Sequence, residues 1–217
     1  MMPKIDKDHV VEMVDTPYVK VFDLQYEADR HYYDVTRRTK DELMAVKSEE
    51  TFRSILPDAV SCVIVLDIPG EEPRLCIVRE YRYPIGRFVL SVPSGLVDQK
   101  DKKEADPIGS AGKREVCEET GIAFDERQDE IQLVNPLLYC SPGLTDESTA
   151  VVKIVLHRKQ MPDVSQDGAV GAEVFDGIAW ITRKQAEEYL RQGTDHHGIF
   201  YSAITWIALM TFVSDLW

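Results

Sequence analysis

The sequence predicts an α+β fold: a mixed β-sheet sandwiched between helices, preceded by a small N-terminal antiparallel β subdomain. Three observations carry that expectation. A continuous apolar run from Ala59 to Asp67 (AVSCVIVLD) suits a strand buried on both faces. One sharply bounded helical stretch at residues 107–120 interrupts a series of strand-like segments. Two further helical stretches close the chain, the order expected of a sheet layered with helices.

Taken in order, residues 1 to about 55 are polar and loosely patterned, and residues 18–22 and 31–36 read as short strands rich in aromatic and β-branched side chains. They would pair as a small antiparallel sheet that needs a partner surface. The run at residues 59–67 and a second strand at 74–82 flank Pro69-Gly70-Glu71-Glu72-Pro73, which is turn chemistry, so the two form a hairpin. Residues 88–92 make another short strand that ends at Pro93-Ser94-Gly95. The central helix has Asp106 as its N-cap, Pro107 in its first position and Gly121 as a left-handed stop. Further strands are expected at 132–139, 148–156 and 177–181, and helices at 183–191 and from about His197 onward. The expected division is an N-terminal β-strand subdomain at 1–55 and a main domain at 56–217.

Composition limits the function. Hydrophobic residues make up 44% of the 217, enough to fill a core. A formal net charge of −13 argues against nucleic acid as the main partner, because phosphate backbones are held by clustered Lys and Arg. Cys62, Cys76, Cys117 and Cys140 are far apart and form no C-x-x-C pair, which reads as buried reduced thiols. The opening MMPKIDKDHV has no apolar stretch of the kind a secretory signal needs. Residues 199–214 carry no charge, but they fall short of the roughly 20 apolar residues a membrane span requires, and Ser202, Thr205, Thr211 and Ser214 interrupt them. A buried C-terminal helix, no membrane and a cytoplasmic location are the expectations.

The stretch Arg114-Glu115-Val116-Cys117-Glu118-Glu119-Thr120-Gly121-Ile122 is the most informative. At ~100° per residue, Glu115, Glu118 and Glu119 fall on one face of the helix, while Val116 and Cys117 can turn to the core. Glu118 and Glu119 also lie in the last turn, where the helix dipole disfavours anions by roughly 0.3–1 kcal/mol each. A charge run alone more often marks a solvated face. A divalent cation would reverse the sign of every one of these terms, and hard oxygen ligands select Mg²⁺ or Mn²⁺.

The same stretch matches R-E-U-x-E-E-x-G-U, the second half of the Nudix signature, at every fixed position (U being a bulky aliphatic residue). Val92-Pro93-Ser94-Gly95 resembles the strand-to-loop P-A-G that opens the box in ADP-ribose pyrophosphatases. Val78-Arg79-Glu80-Tyr81-Arg82-Tyr83-Pro84 resembles their V-R-Q-Y-R-Y-P strand, and Ser141-Pro142-Gly143-Leu144-Thr145-Asp146-Glu147 their S-P-G-x-x-x-E loop. Four matches in order, across roughly residues 58 to 150, resemble the Nudix hydrolase superfamily near its ADP-ribose pyrophosphatases.

The resemblance implies a Nudix fold and Mg²⁺-dependent hydrolysis (Mn²⁺ as the alternative) of a small-molecule nucleoside diphosphate derivative, ADP-ribose foremost. It implies Glu115 and Glu119 as metal ligands, Glu118 assisting, and the Ser94 carbonyl as a further ligand. Arg114 would orient a glutamate, Gly95 would let the chain approach the diphosphate, and Arg82 would clamp it. Glu173, in the Gly-containing acidic loop before the last strand, fits the general base, and Glu147 is a second candidate. Tyr33-Asp34-Val35-Thr36-Arg37-Arg38 resembles a W-E-x-x-x-R segment of dimeric ADP-ribose hydrolases, so Tyr33 would stack on a base, Arg38 would meet phosphate or ribose, and the chain would form a homodimer.

Two departures bear on the substrate. Gly95 and Arg114 are 19 positions apart where G-x5-E-x7-R-E requires 14, which places an insertion around residues 99–105. Counting back eight from Arg114 gives Asp106, already explained as a helix cap. The glutamate of E-x-P-A-G is Ser91 here. GDP-sugars, dinucleotides and a catalytically silent Nudix-fold nucleotide sensor are the alternatives.

Overall fold

In a computed structural model that describes residues 4–166, 168, 173–214 and 216, the chain parts into two compact units. The smaller runs to Asp58 and takes in Leu137–Thr149, and the larger holds Ala59–Pro136 and resumes at Ala150.

The smaller unit begins with a three-stranded antiparallel sheet in the order β1 (Val10–Asp15), β2 (Lys20–Glu27), β3 (Arg30–Thr36). The strand expected at 18–22 begins later, because the Thr16 hydroxyl donates to the Val19 carbonyl and closes a tight turn. Val10, Phe22, Leu24 and Leu43 form the unit's core. A short helix, α1 (Glu49–Arg53), is capped by Ser48, which accepts from the Thr51 N–H. The loop at 141–147 is tied in by carboxylates. Arg38 makes a paired bond to Asp58 at 2.5 and 2.6 Å and a third contact to Asp146 at 3.2 Å. The Thr36 hydroxyl donates to Asp146 at 2.6 Å, and Asp34 accepts from the Asp146 N–H at 3.1 Å.

The larger unit is built on a sheet that starts with β4 (Ala59–Asp67) and β5 (Arg74–Arg82), both with the bounds expected. It continues with β6 (Arg87–Ser91) and β7 (Ser94–Leu96), then α2 (Pro107–Thr120), β8 (Glu130–Tyr139), β9 (Ser148–His157), β10 (Phe175–Thr182), α3 (Arg183–Gln192) and α4 (Ala203–Val213). The sheet order is β10-β5-β4-β9-β8, with β6 added on β5 and β7 on β4. Alternation along β4 explains the layering. Val60, Cys62, Ile64 and Leu66 pack with Ala111 and Val116 of α2. Val65 faces the other way, sharing a cavity wall with Val155 and with Phe212 of α4. The sheet is therefore sandwiched between helices.

The last helix starts later than about His197. Asp195 accepts from the His197 and Ile199 N–H groups, which holds the preceding residues in a turn, and Ser202 then caps the helix at Thr205. Cys62 and Cys76 are buried thiols as expected, but Cys117 and Cys140 are exposed. Cys117 misses the core because Val116 and Thr120 already occupy the inward stripe of α2. No helix among the described residues is long and apolar enough to cross a membrane.

Candidate active site

Helix α2 is set by its ends. Asp106 accepts from the Gly109 N–H at 3.0 Å, Pro107 needs no partner in the first turn, and Gly121 takes φ +73° to stop the helix. Its buried positions, Ala111, Gly112, Glu115, Val116, Glu119 and Thr120, recur at helical spacing. Two of the three glutamates thus lie on the inward stripe: Glu115 is 6% exposed and Glu119 5%. Glu118, off that stripe, is half-exposed.

Strand β7 delivers the opposing wall. It pairs with β4 through Val60↔Gly95 and Ser61↔Ser94, which brings the Ser94 N–H to Glu119 Oε1 at 2.9 Å. At Gly95 the approach is so close that a Cβ would lie 1.9 Å from Glu115 Oε1. Any Cβ there would have to push the Glu115 carboxylate aside. Gly95, Leu96, Asp98, Lys100, Arg114, Glu115, Glu118, Glu119, Gly168 and Glu173 line one cleft of about 370 Å³.

Arg114 knits the carboxylates together. Its Nη1 donates to Glu115 at 2.5 Å and Glu118 at 2.8 Å, and its Nη2 to the Leu96 carbonyl at 2.7 Å and Asp101 at 3.0 Å. Burial works against the guanidinium's charge, but Asp101, Glu115 and Glu118 together hold its pKa above the ordinary value. Asp101 is 4% exposed and is the position six after Gly95. The G-x5-E spacing is therefore kept with aspartate, and the five extra residues fall between Asp101 and Arg114. Counting back from Arg114 missed this, because the insertion lies on that side; counting forward from Gly95 would have found it.

The electrostatics are those of buried acids only partly compensated by Arg114 and the Ser94 N–H. Burial pushes the Glu119 carboxyl up to about 9; the Ser94 N–H opposes the rise and the negative charges of Glu115, Glu80 and Glu173 add to it. Burial likewise lifts Glu115 to about 7 despite Arg114, with Glu118 and Glu173 contributing. Glu80, on β5, is a further acid whose charge reaches Glu119 and that sequence reasoning passed over. Burial raises its pKa, Arg82 lowers it and Glu173 raises it again. Glu173 is exposed and sits where β10 begins: Phe175 pairs with Glu80, and the Tyr81 N–H donates to the Val174 carbonyl at 2.8 Å. Asp167 and residues 169–172 of that loop lie outside the described residues.

Among the described residues, no three or more His, Cys, Asp or Glu stand ready-made as a metal-ligating group. As placed, Glu115 and Glu118 turn to Arg114 and Glu119 to the Ser94 amide. Arg82 lies on β5 with its Nη2 2.7 Å from Glu80.

Tyr33, Arg38 and Glu147 belong to the smaller unit. That unit has its own cavity of about 270 Å³, with Tyr32, Tyr33, Phe52 and Tyr139 as aromatic walls and Asp34 and Asp146 as its acids. Burial and the neighbouring Asp146 lift the Asp34 carboxyl to about 6, against the Asp146 N–H and Arg38. The expectation that Arg38 meets a ligand is not what its surroundings favour, since Asp58 and Asp146 already take up its guanidinium. Glu147 faces Arg37 at 3.4 Å.

Among known proteins, the chain is 33% identical over 95 residues to an uncharacterized Nudix hydrolase of Schizosaccharomyces pombe and 30% identical over 100 residues to the ADP-sugar pyrophosphatase of Mus musculus. These matches make the chain similar to Nudix hydrolases and to an ADP-sugar pyrophosphatase. The two matches take in 44% and 46% of this chain and 41% of each relative, so less than half of those relatives' length is matched. No family model matches. The Nudix fold has a structural counterpart in the crystal structure of an ADP compounds hydrolase, with a TM-score of 0.55, 16% identity and coverage of 94% of this chain and 89% of that one.

Proposed function

We propose that the chain hydrolyses the diphosphate linkage of a nucleoside diphosphate derivative in a Mg²⁺-dependent reaction, with ADP-ribose, cleaved to AMP and ribose 5-phosphate, as the leading substrate. The observation that carries this reading is the burial of Glu115 and Glu119 side by side beneath Gly95, in a cleft that Glu173 and Arg114 also line. Acids so placed, with pKa values of about 7 and 9, suit a site completed by a cation. The donor set is all oxygen, the choice of Mg²⁺ or Mn²⁺, and the space a Cβ would fill at Gly95 is kept open beside Glu115.

Glu115, Glu119 and the Ser94 carbonyl would hold the metal, with Glu118 assisting. When bound, it supplies Lewis-acid polarisation of the diphosphate and a more acidic attacking water. The chain's own residues do the rest. Arg114, fixed by Asp101 and Leu96, orients Glu115 and Glu118. Arg82 binds a diphosphate oxygen. Glu173 takes the proton of the water as its oxygen bonds to phosphorus, and the second phosphate leaves with the P–O–P electron pair. Glu147 is the second candidate for that proton. Tyr33 stacks on the base, in line with the aromatic walls of its cavity. The mouse relative's name, an ADP-sugar pyrophosphatase, supports the adenine nucleotide choice.

The smaller unit's three-stranded sheet leaves Val11, Met13 and Val14 of β1 exposed, which supports a homodimer with this subdomain as cover and interface. A monomeric sedimentation profile at micromolar concentration would contradict that assembly. We take the cytoplasm as its location.

A panel of diphosphates with ADP-ribose at its centre, assayed for released monophosphate with and without Mg²⁺, tests the function. Turnover should need the metal and vanish in E115Q/E119Q while the variant stays folded. Cleavage of nucleoside triphosphates alone would refute the reading, and tight ADP-ribose binding without turnover would point instead to a sensor.

A further inference from the structure

We propose that Glu80 is a positioning residue of this cleft, replacing from β5 the carboxylate that the ADP-ribose pyrophosphatase pattern carries on β6, where this chain has Ser91. The inference rests on the function proposed above.

Two departures from one pattern coincide. Val78-Arg79-Glu80-Tyr81-Arg82 has glutamate where V-R-Q-Y-R has glutamine, and Ser91-Val92-Pro93-Ser94-Gly95 has serine where E-x-P-A-G has glutamate. The structure relates the two positions. Strands β5 and β6 pair with Val78 opposite Ser91 and Glu80 opposite Val89. Alternation puts Val78 and Glu80 on one face of β5, and a cross-strand partner shares the face of its mate, so Glu80 and Ser91 lie on the same face. They are diagonal neighbours, about 7–8 Å apart and within reach of a long side chain. A carboxylate moved from position 91 to position 80 stays on the same face of the same strand pair. Ser91 cannot serve in its place: it is 8% exposed, uncharged, and its hydroxyl turns to the Val92 carbonyl at 3.4 Å.

What the relocated carboxylate does follows from its partner. Glu80 Oε2 is 2.7 Å from Arg82 Nη2, with the Glu80 side chain 13% exposed and that of Arg82 50% exposed. Untethered, a half-exposed arginine at a strand end samples many rotamers. Held by Glu80, its fork of N–H donors is pre-set on the face of β5 that also carries Glu80, and a diphosphate would bind without the cost of ordering it.

The test is steady-state kinetics with ADP-ribose and Mg²⁺ for wild type, E80Q, E80Q/S91E, R82A and E80Q/R82A. E80Q should raise KM about tenfold with kcat within about threefold, the mark of lost positioning and not of lost chemistry. Adding S91E should bring KM most of the way back. In the R82A background E80Q should have no further effect, because Glu80 acts through Arg82. Since Ser91 is buried, E80Q/S91E can fail to fold; the Arg82 cycle then decides alone. A wild-type KM in E80Q, or additive effects of E80Q and R82A, would overturn the inference. Failure of the wild type to bind or cleave ADP-ribose would remove the proposed function and this inference together. Normal turnover indifferent to Glu80 would remove only the latter.

Discussion

Replacing Glu119 with glutamine should make the metal-free protein more stable, and by an amount that depends on pH. The Glu119 carboxyl has an ordinary value of 4.5 and is raised by burial to about 9 in the folded chain. Between those values the native state keeps a proton that the unfolded chain has given up, so stability falls as pH rises from 4.5 to 9. Each pH unit in that window is worth 1.36 kcal/mol, so going from pH 5 to pH 8 should withdraw on the order of 4 kcal/mol through this group. Glutamine cannot ionise, and its amide oxygen can still accept from the Ser94 N–H that now serves Glu119. Urea denaturation of wild type and E119Q at pH 5, 6, 7 and 8, in chelator, measures the difference directly, because titrations elsewhere cancel. The two stabilities should draw together at pH 5 and separate by a few kcal/mol at pH 8. Parallel curves would refute the claim that Glu119 is buried without a compensating charge.

Gly95→Ala should cost at least about a hundredfold in kcat/KM, since a Cβ 1.9 Å from Glu115 Oε1 must displace a carboxylate that the chemistry needs; an alanine variant with normal kinetics would exclude that close approach. Arg38→Ala should destabilise the protein by roughly 3–5 kcal/mol, because it leaves the Asp58 and Asp146 carboxylates without their cation. Were Arg38 a ligand contact alone, thermal unfolding would be unchanged and only KM would move. Asp101→Asn should cost about 1–3 kcal/mol of stability by weakening a buried charged hydrogen bond to Arg114, and should lower activity with it. Full activity in this variant would show that the Arg114 network does not depend on the loop that carries Asp101.

Much of the larger unit was legible from local chemistry. The apolar run of β4, the Pro-Gly turn after it and the Asp106 and Gly121 caps of α2 each state their own boundary, and the structure has the bounds they imply. The smaller unit was harder to read. Strand β1 (VVEMVD) shows five exposed residues in six, so it has no burial alternation to detect. Helix α1 is only five residues long, too short for periodicity to register. In the site, the acidic face of α2 was evident, but its division into two buried glutamates and one half-exposed glutamate depends on which stripe meets β4 and β7. Cys117 was misjudged for the same reason, because one residue's rotation separates it from buried Val116. Glu80 escaped notice because strand position alone does not reveal its neighbours; register with β10 and β6 does.

Divalent cation binding at Glu115 and Glu119 is the core of the account, and proton release measures it most directly. Near pH 7 these two carboxyls, at about 7 and 9, still hold protons that a cation must expel. Calorimetric titration with Mn²⁺, in two buffers of different ionisation enthalpy, should therefore show about one proton or more released per cation bound, and no such release in E115Q/E119Q. Binding that releases no protons, or that survives unchanged in the double variant, would put the cation elsewhere and leave this cleft without its proposed chemistry.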